Sequence, residues 1–403
     1  AGQLPSRMAE AKLRRAVEEQ QGAISTLQRQ VSLLREETDA LREYLASSGA
    51  LEPIRFWTLI HRRHFAAVCA QYGLSLDASL DRVIDVRAIA LMVGLCAGPT
   101  AMRAACVASK TWSQAVGDVL LHCPGDVYVC GGFEGTLALN SIERFSPLVQ
   151  KWEVLPPMME ARQYTCAGII TGKIYVCGGW GGPQPVSSVE RFDPDSSTWD
   201  SMPSMLIARW GASAGVVAGK LHVCGGLDES RQPLSSVESF DPGVGTWEAV
   251  LSMSEQRGWP AAGVVGGLLY VCGGRDEQRE PLSSAERFDV TVRTWEKLPS
   301  MAEQRAGAAA AATSGRFYVC GGAFGAQMLN SAECFDPKAR LWETLPPMSA
   351  HRAYVGVTAV AGCLYVFGGS DGNQCLSSAE LFVPARNCWE PLPFMTERRS
   401  GAA

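Results

Sequence analysis

The sequence has no Asn-x-Ser/Thr: its four asparagines, at 140, 330, 373 and 387, never stand in that spacing, so it offers no N-glycan acceptor. Long apolar runs are missing too. The longest, Ala88–Cys96, is about half of the ~20 residues that a membrane helix needs. The N-terminal stretch is charged and polar, without the apolar core of a secretory signal. Positive charge is not in excess: 36 Lys+Arg stand against 41 Asp+Glu, a net charge of −5, so nucleic acid is not the default partner. There are 14 cysteines but no Cys-x-x-Cys, and neither a phosphate loop, a nucleophile elbow nor a zinc spacing occurs. Five of the eleven cysteines of the C-terminal part recur at one strand position, unlike the scattered pattern of a disulfide framework. These absences point to a reducing interior, cytoplasm or nucleus, and to no membrane association. The first residue is Ala and the earliest Met is Met8, which reads as a fragment or a processed form.

What is present is a composition of 47% hydrophobic and 19% charged residues, that of a folded chain rather than a disordered one. Three segments differ in kind: 1–48, rich in Glu, Gln, Arg and Leu; 49–117, compact and helical in pattern; and 118–403, rich in Gly with Trp at intervals. The first carries a heptad. With Leu13 at d, the a positions are Val17, Ile24, Val31, Thr38 and Leu45, and the d positions are Leu13, Gln20, Leu27, Leu34 and Leu41. β-Branched residues at a with Leu at d favour a parallel two-stranded coiled coil. Val17, Ile24, Leu27, Val31, Leu34 and Leu41 are therefore the expected homodimer seam, with Gly22 a local weakness.

The third segment repeats itself. Gly-Gly pairs fall at 131/132, 178/179, 225/226, 273/274, 321/322 and 368/369, a period of 47 or 48 residues. A Phe follows each pair (145, 192, 240, 288, 335, 382), a Trp stands seven residues further on (152, 199, 247, 295, 342, 389), and an Arg closes each unit (162, 209, 257, 305, 352, 399). Short apolar runs such as Ala261–Val265 and Leu269–Cys272, separated by glycine turns that permit positive φ, read as strands. Each unit holds about four. A sheet of that size cannot bury both faces alone, whereas units packed around an axis and closed into a ring can.

The unit resembles the kelch repeat: Gly-Gly, Ser-x-Glu-x-Phe, Trp, then Pro-x-Met-x-x-x-Arg. The resemblance covers roughly 116–403 and implies a mainly β, six-bladed kelch β-propeller, preceded by the coiled coil and a short helical segment. Blade one then begins at its second strand, Val127–Cys130. Its missing inner strand is expected from the C-terminus, begun by Ser400–Ala403, with Val119–Cys123 the alternative. The repeated Gly, Trp, Phe and Arg are scaffold, and the Glu of each Ser-x-Glu (143, 190, 238, 286, 333, 380) is placed to pair with the unit Arg or a backbone amide. The recurring Cys130, Cys177, Cys224, Cys272 and Cys320 read as small core residues rather than metal ligands.

Function is expected where the repeats disagree. In kelch propellers the loops after Gly-Gly and the positions after the unit Arg line one face and bind partner peptides. The resemblance therefore nominates Phe133, Tyr164, Trp180, Trp210, Trp259, Arg275 and Tyr354, since aromatics with Arg make interface hot spots. No catalytic residue, metal site or cofactor is expected. Copper-oxidase propellers of the galactose oxidase type need a Tyr/His centre, and of five histidines only His222, in a Tyr position of the core, and His351 lie well inside the propeller.

The segment 85–121, with Cys106-Val107-Ala108-Ser109-Lys110-Thr111-Trp112, resembles the second half of an F-box, although the opening Leu-Pro is missing and Gly98-Pro99 replaces the acidic turn. The other reading of this segment is a helical cap between coiled coil and propeller. The other common kelch arrangement carries a BTB and BACK module, and none is seen in the residues ahead of the repeats. Two functions follow: substrate receptor of a cullin-type ubiquitin ligase, with the helices on the ligase adaptor, or a dimeric scaffold of actin or another cytoskeletal polymer. Replacing Val17, Ile24 and Val31 by Lys is expected to halve the mass in light scattering while the propeller still melts as before; an unchanged mass would reject the seam.

Overall fold

The computed structural model describes residues 125–147 and 150–403, and every described regular element is a β-strand. The coiled coil and the F-box-like segment lie outside these residues. Five antiparallel sheets have four strands and a sixth has three, each sheet being one sequence repeat, so the architecture is a six-bladed propeller. Blade four shows the pattern: inner strand Ala261–Val265, second strand Leu268–Cys272, third strand Ala285–Asp289 and outer strand Thr294–Leu298. The hairpin between inner and second strands is two residues long. In blade four these are Gly266 and Gly267, at φ 57° and 80°, the mirror-image turn whose twist matches the strands. In blade two, Thr171 at φ 50° takes the first of these positions and Gly172 at φ 77° the second.

The inner strands surround an axial cavity of about 710 Å³ lined by small residues such as Ala167, Gly168, Ala214, Gly215, Ala262 and Gly263. Small side chains are required there because neighbouring blades approach closely: a Cβ on Gly215 would stand 2.6 Å from Leu269 Cδ1. Apolar clusters fill the spaces between blades rather than one central core. One joins Cys130, Ile142 and Met158 of blade one to Ile174, Val176 and Phe192 of blade two.

The scaffold residues read from the repeat have defined partners. Each Phe packs on the Trp of its own blade, with ring centroids 4.9–5.2 Å apart. Each Trp then donates its indole N–H to a backbone carbonyl of the preceding blade at 2.8–2.9 Å, as Trp199 does to Pro156 and Trp152 does to Pro393. The Trp thus bonds between blades and the Phe anchors it within one.

Among the described residues the six unit arginines are the largest side chains that are fully buried. Each pairs with the Glu of the Ser-x-Glu motif that follows it around the ring, at 2.5–3.1 Å. Each also donates to a carbonyl of the Gly-Gly turn, as Arg257 does to Gly273 at 2.9 Å. The Glu accepts in turn from the N–H of the loop that carries the Arg, at 2.6–2.9 Å. Both expected roles of the Glu, ion pair and amide acceptor, are therefore filled at once.

The ring closes from the C-terminal side. Cys130 N–H donates to Ala403 at 2.8 Å and Ala403 N–H returns to Cys130 at 3.1 Å, while Phe133 and Ser400 exchange a second pair. Ala403 thus stands opposite Cys130 as Ala261 stands opposite Cys272 in blade four. Arg399 completes the circuit by reaching Glu143 at 2.7 Å. The alternative strand, Val119–Cys123, lies outside the described residues. Glu143→Ala strands the buried Arg399 and two loop amides, and is expected to cost about 3–5 kcal/mol, read as a lower urea midpoint; a midpoint within experimental error of the parent would show that the closing pair is dispensable.

Candidate functional site

The loops after Gly-Gly and the loops that carry the unit Arg lie at the same end of the propeller and are tied to one another. Gln163 pairs with Trp180, Trp210 with Leu227, Gly258 with Arg275 and Ala353 with Ser370. The two sets of variable positions therefore form one rigid face.

The axis at this end is closed by a ring of backbone hydrogen bonds. Tyr164 N–H donates to Gly401, Gly211 to Tyr164, Trp259 to Gly211, Gly307 to Trp259, Tyr354 to Gly307 and Gly401 to Tyr354, at 2.7–3.1 Å. All six residues have φ between 53° and 65°. This left-handed conformation is strained for Tyr and Trp and free for Gly. Around the ring aromatic and glycine alternate, for a steric reason. A Cβ on Gly211 would stand 2.6 Å from the Trp259 ring, one on Gly307 2.8 Å from the Tyr354 ring, and one on Gly401 2.6 Å from the Tyr164 ring. Each aromatic lies over the preceding glycine, and three rings cover the mouth of the channel. A small open pocket of about 70 Å³ is lined by the three rings and the glycines between them.

Two further rings extend this floor outwards. Trp210 packs edge-on against Trp259 with centroids 5.1 Å apart, and Trp180 packs edge-on against Trp210 at 5.1 Å. Tyr164 and Tyr354 meet at 5.3 Å. Two guanidinium groups rest on the cluster, Arg275 at 5.3 Å from the Trp259 centroid and Arg231 at 5.9 Å from that of Trp180. These are cation–π contacts, each worth about 0.5–1 kcal/mol where solvent is present. Burial pushes the Tyr164 hydroxyl up to about 12, so it stays protonated at neutral pH. The Trp259 indole N–H is buried without a hydrogen-bond partner.

Six of the seven nominated residues, Tyr164, Trp180, Trp210, Trp259, Arg275 and Tyr354, thus come together in one half-buried patch. Phe133 stands outside it, on the loop of blade one that pairs with Ser400. The sequence reading passed over Phe324, which is 50% exposed on a short hairpin of blade five, Ala323–Phe324 with Gln327–Met328. It also had no way of seeing that Gly211, Gly307 and Gly401 position the rings.

The patch offers apolar contact area and hydrogen bonding rather than reactive groups. Among the described residues no cluster of three or more His, Cys, Asp or Glu is arranged to hold a metal ion. The recurring cysteines are buried, and burial pushes the Cys130, Cys272 and Cys320 thiols up to about 12. They are core residues, as their repetition suggested. No described helix is long and apolar enough to cross a membrane.

Radial repetition of four-stranded blades around an axis defines a repeat β-propeller. Family comparison names the repeat. The kelch motif model matches residues 120–159, 161–206 and 208–254, and a model described as the KLHDC2/KLHL20/DRC7 Kelch-repeats domain matches 252–403. The chain belongs to the kelch-repeat propeller family. A solved structure of YjhT matches with a TM-score of 0.57 at 16% identity, covering 66% of this chain and 96% of that one, and shares the fold. No curated protein matches the chain.

Gly211→Ala places a Cβ against the Trp259 ring at positive φ. The expected loss is more than about 1 kcal/mol, with a shift of the tryptophan emission as the aromatic floor opens. A variant with parental stability and emission would show that the alternation has no steric basis.

Proposed function

We propose that the loop face is a protein-recognition surface and that the chain is a non-enzymatic substrate receptor of a cullin-type ubiquitin ligase, working in the cytoplasm or nucleus. The first part rests on the joined aromatic cluster. Partner contacts draw most of their energy from a few Trp, Tyr and Arg side chains held rigidly near the centre of the interface. Trp180, Trp210 and Arg275 have that composition and sit where the repeat departs most from itself. Pre-organisation by the backbone ring lowers the entropy lost on binding. A partner segment laid over the axis meets three rings rather than an open channel.

The second part rests on the F-box-like signature in 85–121, outside the described residues. The heptad of 1–48 gives a reason for pairing: two propellers on one parallel coiled coil raise avidity toward a target with two sites.

Affinity capture from cell lysate with the intact chain, and with residues 85–116 deleted, separates the two parts. A cullin and its adaptor should co-purify with the intact chain alone. Recovery of cytoskeletal proteins with neither ligase subunit would overturn the receptor role in favour of a scaffold. In the same assay the double variant Trp180→Ala, Arg275→Ala should lose the remaining partners with little change in melting temperature; undiminished capture would move recognition off this face.

A further inference from the structure

One blade breaks a row that the other blades keep. The second strand carries a tyrosine at one position in five blades, Tyr128, Tyr175, Tyr270, Tyr318 and Tyr365, and His222 in blade three. Opposite the tyrosine, blades one, two and four have Arg144, Arg191 and Arg287. There the guanidinium serves the phenol on one side, as Arg287 does Tyr270 at 3.3 Å, and an acid of the outer strand on the other, as Arg191 does Asp200 at 2.6 Å. Blades five and six replace the arginine, with Cys334 and Leu381, but keep the tyrosine. In blade three alone both are gone. Ser239 stands where the arginine would be, with His222 opposite it on one strand and Glu248 on the other.

A cavity of about 470 Å³ opens at that row, between blades three and four. Its lining reaches the Ala218 and Arg293 turns, so it lies at the end of the propeller away from the aromatic face. Val217, Val250, Phe288 and Val290 supply apolar wall. Ser239 is 1% exposed, and its hydroxyl is buried with no hydrogen-bond partner. His222 is 4% exposed. Its Nδ1 lies 3.2 Å from the Lys220 carbonyl and can only donate there, which leaves Nε2 as an acceptor when the ring is neutral. Burial holds the imidazole below its usual pKa and so favours the neutral ring. No described residue takes up Nε2. Two of the nearby charges are matched, since Lys220 meets Asp241 at 3.1 Å and Glu248 at 3.6 Å, while Arg293 lies exposed at the rim.

We propose that this cavity is a binding site for a small phenolic ligand. The site lacks what its sister blades supply from their own chain, a planar ring bearing one hydroxyl. A phenol replaces it: the ring lies against the apolar wall, the oxygen accepts from Ser239, and the O–H donates to His222 Nε2. An uncharged ligand fits because, at this row, the lysine and the two carboxylates are paired with one another, and the remaining charge, Arg293, is exposed at the rim. The site is separate from the recognition face and does not depend on the function proposed for that face.

The test uses the full chain with p-cresol, the side chain of tyrosine, and toluene as the same ring without a hydroxyl, each followed by ligand-observed NMR titration. p-Cresol should bind several-fold more tightly than toluene. Ser239→Ala should erase most of that difference, and His222→Tyr, which puts the ring back covalently, should abolish p-cresol binding and raise the melting temperature. Equal binding of the two probes, p-cresol binding unaffected by both substitutions, or no binding of p-cresol to the parent chain would each overturn the proposal. Ser239→Ala removes one buried atom and keeps the fold, so the outcome does not rest on His222→Tyr alone.

Discussion

The structure depends on a buried ion pair made six times. A fully buried guanidinium is tolerable only when its charge and its donors are met. Here a carboxylate, a Gly-Gly carbonyl and a serine carbonyl meet the charge and the terminal donors, as Gly273, Ser284 and Glu286 do for Arg257, and only the Nε of Arg162, Arg209 and Arg399 is left without a partner. All these partners are fixed to the following blade, while the Arg sits on the loop that leads into it. The pair therefore locks the entry loop of each blade onto that blade's own second and third strands. Its net contribution to stability is small by comparison with what its disruption costs. What it adds is specificity: a blade displaced by one strand would leave an arginine buried without a carboxylate. Closure of the ring by Arg399 on Glu143, across 256 residues of sequence, uses the same lock as every local step.

That lock explains why the loop face is rigid. Three residues beyond each Gly-Gly lie loops that vary freely, yet their bases are held by the Arg and by bridges such as Gly258 with Arg275. Two residues after each Arg the chain must turn across the axis in the left-handed conformation, and the six turns bond to one another in a circle. Six bulky side chains do not fit around so narrow a mouth. Alternating three aromatics with three glycines is the steric solution, and it converts a channel entrance into an aromatic floor. The floor is therefore a consequence of the closure geometry as much as of any partner.

Much of this was legible in the sequence because a repeat reports its own structure. Six phased Gly-Gly, Trp and Arg positions fix blade number, strand order and the scaffold role of the recurring cysteines. The Glu–Arg pairing followed from two charged residues recurring in an apolar unit. That Tyr164, Trp180, Trp210, Trp259, Arg275 and Tyr354 share a face with Phe133 is what the kelch resemblance implies, but the tightness of the cluster, and the exclusion of Phe133 from it, were not legible. The alternation with Gly211, Gly307 and Gly401 joins residues about 95 positions apart, and no local pattern displays it. Phe324 escaped notice because its blade has Ala323 where blades one to four carry Phe133, Trp180, Leu227 and Arg275, and the second bridge of its loop, Phe324 with Gln327, is found among the described residues in blade five alone.

A repeat protein has two places in which to become particular. One is the loop, where variation is unconstrained by packing and produces a surface such as the Trp180–Trp210 wall. The other is the core row, where each member is held by its neighbours and a change must be answered. Loss of the arginine in blade five is answered by Arg316, which reaches Asp336 at 3.2 Å and Glu343 at 2.8 Å. In blade three Lys220 answers for the charge in the same way, through Asp241 and Glu248. No described residue answers for the volume or for the hydroxyl of Ser239. A void of this size beside an unpaired buried hydroxyl is costly in a folded chain. The cost falls away once an outside molecule supplies the ring and the hydrogen bond, which is why the uncompensated blade, and not the merely substituted one, is where a ligand belongs.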